Sequence, residues 1–318
     1  MIVKEELQRC ADRLQEEIDG ISPYICRQFP ISAYLQDVKF YPEIRMHGYF
    51  KPRRKKIFST IQKRYGFHAL SLYQKLAIAS FMMDSLEHLN SKSFPKGVMR
   101  NIHSWYQRVV KDFDRQPDTY YDISNVDFKI DFGVCCLKSI SIGGAWFVKI
   151  RMISPRVFLT FDVPRIKHIL ECILFKTKGF SPFCVIHTVP RYLLRFNCRQ
   201  MNMAYKEIGE LMKYQPKIKG IFRKSWFLDP NLEKVTPELT YLREIPEHNG
   251  ADLFEGGTTH QDIVDSLAFS PHRRKLYKEG KYNPTVYGYI WPRKEFFEWL
   301  SRNDVGRPES CEHQSTIH

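Results

Sequence analysis

The hydrophobic residues of this chain change their spacing once, near YYDISNVDF at 120–128, and that change limits the fold more than any other feature. Before it, apolar residues return at the three- and four-residue intervals that line one face of a helix. Leu7, Ala11, Leu14 and Ile18 keep that interval, and Gly20 ends the run. KKIFSTIQKRYG repeats it with Ile57, Phe58 and Ile61, ALSLYQKLAIASFMMDSLEHLN reads as a longer buried helix, and KGVMRNIHSWYQRVVKDF places Val98, Ile102, Trp105, Val109 and Phe113 on one side. Four helices with short polar connections predict a bundle or a helical cap.

After the change, strands are expected in FKIDFGVCCLKSISI and AWFVKIRMI, joined by a turn at Gly143-Gly144, and in RVFLTFD. A helix from Pro164 to about Lys176 follows, then a strand FCVIHTV, a helix from Pro190 to about Tyr214 and a strand IKGIFRKSWFL. TVYGYIW reads as a last strand and KEFFEWLSR as a closing helix. The reading is α+β: an all-helical region over 1–120, a mixed β-sheet domain with crossover helices over 121–303, and a polar tail at 304–318.

With 43% hydrophobic and 14% aromatic residues over 318 positions, the chain has the material for a sizeable core and lies outside the disordered class. No apolar run approaches the roughly 18 residues of a membrane-spanning helix, and MIVKEELQRC has neither the apolar core nor the cleavage site of a secretory signal. The expectation is a soluble, cytoplasmic protein, with eight cysteines (10, 26, 135, 136, 172, 184, 198 and 311) mostly buried as free thiols. Cys135 and Cys136 would face opposite sides of a strand, which disfavours shared metal ligation. A net charge of +14 favours anionic partners: nucleic acid, phosphorylated ligands or a membrane surface.

Candidate chemistry concentrates in YLREIPEHNGADLFEGGTTHQDIVDS, residues 241–266. His260 and Asp262 form an H-x-D triplet, as in two-histidine-one-carboxylate iron sites. THQDIVDSLAF reads better as a helix start capped by Thr258 or Thr259, so no metal site is expected. IPEHNGADLFEGG, with turn formers Asn249-Gly250 and Gly256-Gly257, is expected to be a long irregular loop lining a site through Glu244, Glu247 and His248. KPRRKKIF at 51–58 fits either phosphate contacts or a solvated helix face.

The helix after FCVIHTV is more specific. At 100° per residue Arg191, Arg195, Arg199, Lys206 and Lys213 share an arc of roughly 80°. His187 would stand at the carboxyl end of the preceding strand, where open α/β sheets bind ligands. The expected site is therefore an anion pocket there, with Arg191 and Arg195 holding the ligand and His187 as general base. Arg273, Arg274 and Tyr277 in SPHRRKLYKEGKYNP are further candidates for binding the same donor.

The strand and helix order over residues 125–292 resembles that of the GNAT acyltransferases. The resemblance implies an acyl-CoA thioester donor, held by a signature Q/R-x-x-G-x-G/A. DVPRIKHILECILF at 162–175, where the order would place that signature, lacks it. Patterns for P-loop, dinucleotide, serine-hydrolase and zincin sites are also missing. The sequence thus points to a transferase-like protein binding a phosphorylated or acyl-CoA-type donor, with an anionic small molecule favoured over nucleic acid as partner. The alternative is a non-catalytic, basic nucleic-acid-binding or accessory protein, or a regulatory interaction protein.

Overall fold

A computed structural model describes residues 4–35, 52–91, 94–122, 124–153, 163–180, 182–268 and 270–304. They form two compact units, Met1–Ser141 and Ile142–His318. The proposed strand RVFLTFD, Cys311 and nearly all of the polar tail lie outside the described residues, as do Lys51 and the side chains of residues 52–55.

The first unit is helical among its described residues up to its last few positions. Helix α1 (Lys4–Ile21) buries Leu7, Ala11, Leu14 and Ile18, the stripe expected from their spacing, and packs on α4 (Pro52–Ser91). Short helices α2 (Tyr24–Gln28) and α3 (Ile31–Leu35) lie between them in sequence. Helix α4 is two helices meeting at Gly66, whose φ of 90° is open to glycine and strained for other residues. Helix α5 (Lys96–Asp112) buries Val98, Ile102, Trp105 and Val109, as expected.

Helix α6 (Val126–Cys135) corrects the reading of FKIDFGVCCLKSISI as a strand. Asn125 caps it, its Oδ1 accepting from the Phe128 amide at 3.1 Å. Cys135 ends this helix and Cys136 follows as its C-cap, so the two do not alternate across a strand. Burial of Asp131 on α6 serves a hydrogen-bond network: it accepts from the Trp105 indole at 2.9 Å and from Arg108 and the Tyr120 hydroxyl.

The second unit is built on a mixed six-stranded sheet in the order β1-β2-β3-β4-β6-β5. Its strands are β1 (Ile140–Ile142), β2 (Trp146–Arg151), β3 (Phe183–Thr188), β4 (Gly220–Ser225), β5 (Asp252–Glu255) and β6 (Tyr287–Pro292). Helix α7 (Val163–Glu171) precedes β3, α8 (Cys198–Tyr214) joins β3 to β4, and α9 (Leu232–Val235), α10 (Tyr241–Glu247), α11 (His260–Ala268), α12 (Pro271–Lys278) and α13 (Arg293–Asp304) complete the unit. The α+β class expected from the sequence is what forms.

Strands β3 and β4 pair in parallel; β2–β3, β4–β6 and β5–β6 are antiparallel. A parallel pair needs a crossover, and here it is Val189–Lys219 carrying α8. The expected turn at Gly143-Gly144 is present, with φ of 54° and 71°. A Cβ on Gly143 would stand 2.7 Å from that of Ala204, so this turn lies against α8. One face of the sheet packs Phe183, Val185, Phe222 and Ile290 against Ile169, Cys172 and Ile173. The other packs against Tyr205, where Trp291, Trp299 and Phe296 also converge edge to face. Cys10, Cys26, Cys135, Cys136, Cys172 and Cys184 are free thiols, in line with the expectation that most are, while Cys198 is disulfide-bonded.

Candidate functional site

The expected site at the end of β3 divides between the two faces of the sheet. In an antiparallel pair, residues directly opposite share a face, and along a strand alternate residues do. Phe147 pairs with His187, Lys149 with Val185 and Arg151 with Phe183, so these six share one face. Thr188 points the other way, together with Arg223, which pairs with Tyr289.

On the first face His187 stacks on Phe147, ring centres 5.1 Å apart and planes at 17°. The Arg151 guanidinium lies 3.3 Å from His187 Nε2. Donation from Arg151 requires the lone pair of Nε2, which places the ring proton on Nδ1. Burial, reinforced by the charges of Lys149, Arg151 and Arg223, holds the imidazole well below its ordinary pKa, so it is neutral. Burial and the Arg151 charge also bring the Lys149 ammonium down to about 8.

The second face holds a residue that the sequence reading passed over. Arg223, in the middle of β4, is 1% exposed. Its Nη2 donates to Thr188 Oγ1 at 3.3 Å, Nη1 has no hydrogen-bond partner, and no carboxylate pairs with it among the described residues. Around it stand three phenols: Tyr205 from α8, Tyr289 from β6 and Tyr241 from α10. Tyr205 and Tyr289 hydroxyls lie 3.3 Å apart, and the buried Tyr241 hydroxyl has no partner. Burial raises the pKa of all three, so they stay protonated as hydroxyl donors. A buried guanidinium is normally compensated by a carboxylate, because an isolated charge in the interior is costly. Here, among the described residues, it faces O–H groups and no carboxylate, a setting that an anionic ligand would complete.

Comparison with known proteins adds little to this. No protein-family model matches the chain, and no curated protein matches it in sequence. Among solved structures it is similar to an acyltransferase crystallised in complex with decanoyl-CoA, at 10% identity and a TM-score of 0.44, over 91% of this chain and 78% of that one. So loose a likeness carries no conclusion about activity, and the chemistry rests on the residues themselves.

Several expected site residues stand elsewhere. The helix after β3 does not begin at Pro190: residues Pro190–Arg195 form a 3-10 turn, the chain straightens at Phe196, and α8 starts at Cys198. Asn197 caps α8, its Oδ1 accepting from Gln200 N at 2.8 Å. Arg191 is therefore not in the first turn of a long helix, and the continuous basic stripe from Arg191 to Lys213 does not form. Arg191 lies over its neighbour Tyr192, 5.3 Å from the ring centre, while the Arg195 side chain is outside the described residues.

IPEHNGADLFEGG is not an irregular loop either, since α10 and β5 occupy most of it. Glu244 and Glu247 pair with Arg243 of the same helix, Glu247 at 3.5 Å, and Glu233 joins them. His248 is the exposed C-cap. What α10 brings to Arg223 is Tyr241.

Arg273 and Arg274 both donate to the last carbonyls of α11: Arg273 to Ser266 at 2.7 Å, Arg274 to Leu267 and Ala268 at 2.9 and 2.8 Å. Arg273 also packs over Trp226 and donates to Thr236. Tyr277 stands exposed on α12.

His260 opens α11, and the Thr259–Asp262 pair caps it reciprocally: Asp262 Oδ2 accepts from Thr259 N at 2.8 Å, and Thr259 Oγ1 from Asp262 N at 3.3 Å. No group of three His, Cys, Asp or Glu among the described residues is placed to hold a metal. Asp262→Ala should cost about 0.5–2 kcal/mol of stability, the value of a lost cap. Elemental analysis of wild type and variant should show no bound iron or zinc in either, and a stoichiometric ion lost with Asp262 would overturn the capping account.

Proposed function

We propose that residues 142–318 form a transferase unit that takes a phosphorylated or acyl-CoA-type donor at the carboxyl end of the parallel pair β3–β4. The observation that carries this reading is the buried, carboxylate-free Arg223 among three protonated phenols. Parallel strand ends are where α/β sheets bind ligands, and arginine is well suited to phosphate because its planar fork offers two parallel N–H donors.

No glycine lies between Gly179 and Gly209, so the chain from β3 to the middle of α8 offers no glycine-opened backbone to a pyrophosphate. Side chains must hold the donor. Nη1 is sealed from solvent, and the 3-10 turn directly after Thr188 is the segment whose movement would admit a ligand. His187, the base expected from the sequence, lies on the opposite face of the sheet from Arg223 with Arg151 3.3 Å from its Nε2, so in this reading it serves as base only for a donor bound on the Lys149 face.

The test is calorimetric titration of coenzyme A, acetyl-CoA, ATP and pyrophosphate, repeated from about pH 7 to about pH 9. An anion on Arg223 meets a permanent charge, and its affinity should stay flat across that range. An anion on the Lys149 face should weaken as pH rises through about 8, where the ammonium loses its proton. The linked stability has the same origin: the folded value lies below the ordinary 10.5, so the ligand-free protein gains stability as pH climbs from about 8 towards 10.5. A pH-dependent loss of affinity would move the donor to the Lys149 face; no binding by any of the four would refute the transferase reading.

A further inference from the structure

A second concentration of charge lies at the opposite end of the same two strands. Lys219 immediately precedes β4 and its amide donates to the carbonyl of Pro182, just before β3. There a cleft of about 560 Å³ is lined by Lys176, Lys178, Lys219, Arg293 and Lys294, with Glu298 its single lining carboxylate. Two of the five cations have counter-ions: Lys176 bonds Asp252 at 2.8 Å and Lys294 lies 3.8 Å from Glu298. Lys178 and Lys219 pair with no carboxylate among the described residues. Among the described residues Arg293 pairs with no carboxylate: it donates to the carbonyls of Met212 and Ile218 and lies over the Phe297 ring. Three uncompensated cations therefore meet at one opening.

The turn that delivers Lys178 is built rather than loose. Cys172–Lys176 is a single π-helical turn, with Cys172 and Ile173 anchored in the core. Ile173 O accepts from Thr177 Oγ1 and from the Gly179 amide, both at 2.8 Å. These bonds hold Lys178 at a φ of 54°, a left-handed backbone that residues other than glycine seldom adopt. On the same turn Leu174 is 53% and Phe175 75% exposed. Two consecutive large apolar side chains, held out by a rigid turn beside unpaired cations, match the chemistry of a bilayer interface: hydrocarbon just beneath a layer of phosphates. A nucleic acid would use the phenylalanine for stacking but has no use for the leucine.

We propose that this end of the sheet unit docks on an anionic membrane surface, with Leu174 and Phe175 entering the acyl boundary and the Lys178–Lys219–Arg293 cleft receiving a lipid phosphate. The proposal goes beyond the donor site and does not depend on Arg223. It is a peripheral contact, since no helix among the described residues is long and apolar enough to cross a membrane.

The experiment is co-sedimentation of the full chain with two vesicle types, phosphatidylcholine alone and phosphatidylcholine with about one-quarter phosphatidylserine. Binding should require the anionic lipid. Phe175→Ser should lower the partition coefficient about tenfold through lost apolar burial, and Lys178→Ser about fivefold through one lost charge. Both positions are exposed, so neither variant is expected to unfold. Lys278→Ser, an equal charge change on α12 outside the cleft, should do little. Three outcomes each overturn the proposal: no binding to anionic vesicles, equal losses from Lys178 and Lys278, or a short single-stranded oligonucleotide that binds more tightly than the vesicles and is indifferent to Phe175→Ser.

Discussion

Arg223→Met should leave the ligand-free protein at least as stable as wild type while abolishing its response to anionic donors. The two halves of that expectation have one cause. In the ligand-free chain Arg223 donates to Thr188 Oγ1 and bonds the Tyr289 hydroxyl, with Nη1 unpartnered. A hydrogen bond from a charged donor of that kind contributes about 1.5–3 kcal/mol. Against it stands the desolvation of a buried, uncompensated guanidinium, which amounts to several kcal/mol. Methionine keeps an unbranched stem of similar reach and has no charge to desolvate. The balance therefore favours the variant until a ligand is present.

With ligand the order reverses. A donor at about a hundred times its dissociation constant stabilises wild type by about 2.7 kcal/mol, and the variant by next to nothing. Thermal unfolding of both proteins, with and without the donor that titrates best, reads the two effects together. A ligand-free Arg223→Met protein several degrees less stable than wild type, yet still stabilised by the donor, would make Arg223 a structural residue and leave the transferase reading without support.

Arg223 is only partly legible in the sequence. In IKGIFRKSWFL three cations, Lys219, Arg223 and Lys224, interrupt the apolar residues, and only the two-residue period from Ile221 sets Arg223 on one face of the strand with it. The same argument reads WFVKIR, where two-residue alternation sets Phe147, Lys149 and Arg151 on one face. What no single-sequence pattern could supply is the partner across the sheet: that His187 opposes Phe147, or that Tyr289 opposes Arg223, depends on register.

The misread elements have local causes. In VDFKIDFGVC the apolar residues Phe128, Ile130, Phe132 and Val134 alternate like a strand, while Phe128, Asp131, Phe132 and Cys135 mark the buried side of a helix. Asn125, standing directly before the apolar Val126, was the capping signal that favoured the helix. Helix α10 carries Pro246 inside its last turn and β5 has a carboxylate at each end, so neither offered a clean period. Their turn residues, Asn249-Gly250 and Gly256-Gly257, dominated the reading although each pair only bounds a short element. The crossover after β3 failed in the opposite sense. An unbroken amphipathic pattern concealed the stop at Phe196 and Asn197, where a new cap restarts the helix.

Asp131→Ala should be the most damaging single change in the helical unit, because it removes the acceptor that several donors share. The carboxylate is 2% exposed and takes the Trp105 indole N–H, the Arg108 guanidinium and the Tyr120 hydroxyl. Alanine would take the acceptor away from the indole N–H and leave Arg108 its contact with Asp112 at 3.0 Å. Deleting one member of a buried ion pair costs about 3–5 kcal/mol, a large share of the roughly 5–15 kcal/mol by which a domain is stable. Asp131→Asn keeps an acceptor of the same shape and loses only the charge, so its cost should be smaller, about 1.5–3 kcal/mol. Asp131→Leu combined with Arg108→Met removes both charges together, and should recover part of the loss because neither side is then left buried alone. Urea unfolding of the four proteins orders them: wild type, then Asp131→Asn, then the double variant near or below it, with Asp131→Ala last. Stability lost equally by Asp131→Asn and Asp131→Ala would mean that charge alone matters, and that the indole and phenol bonds contribute nothing.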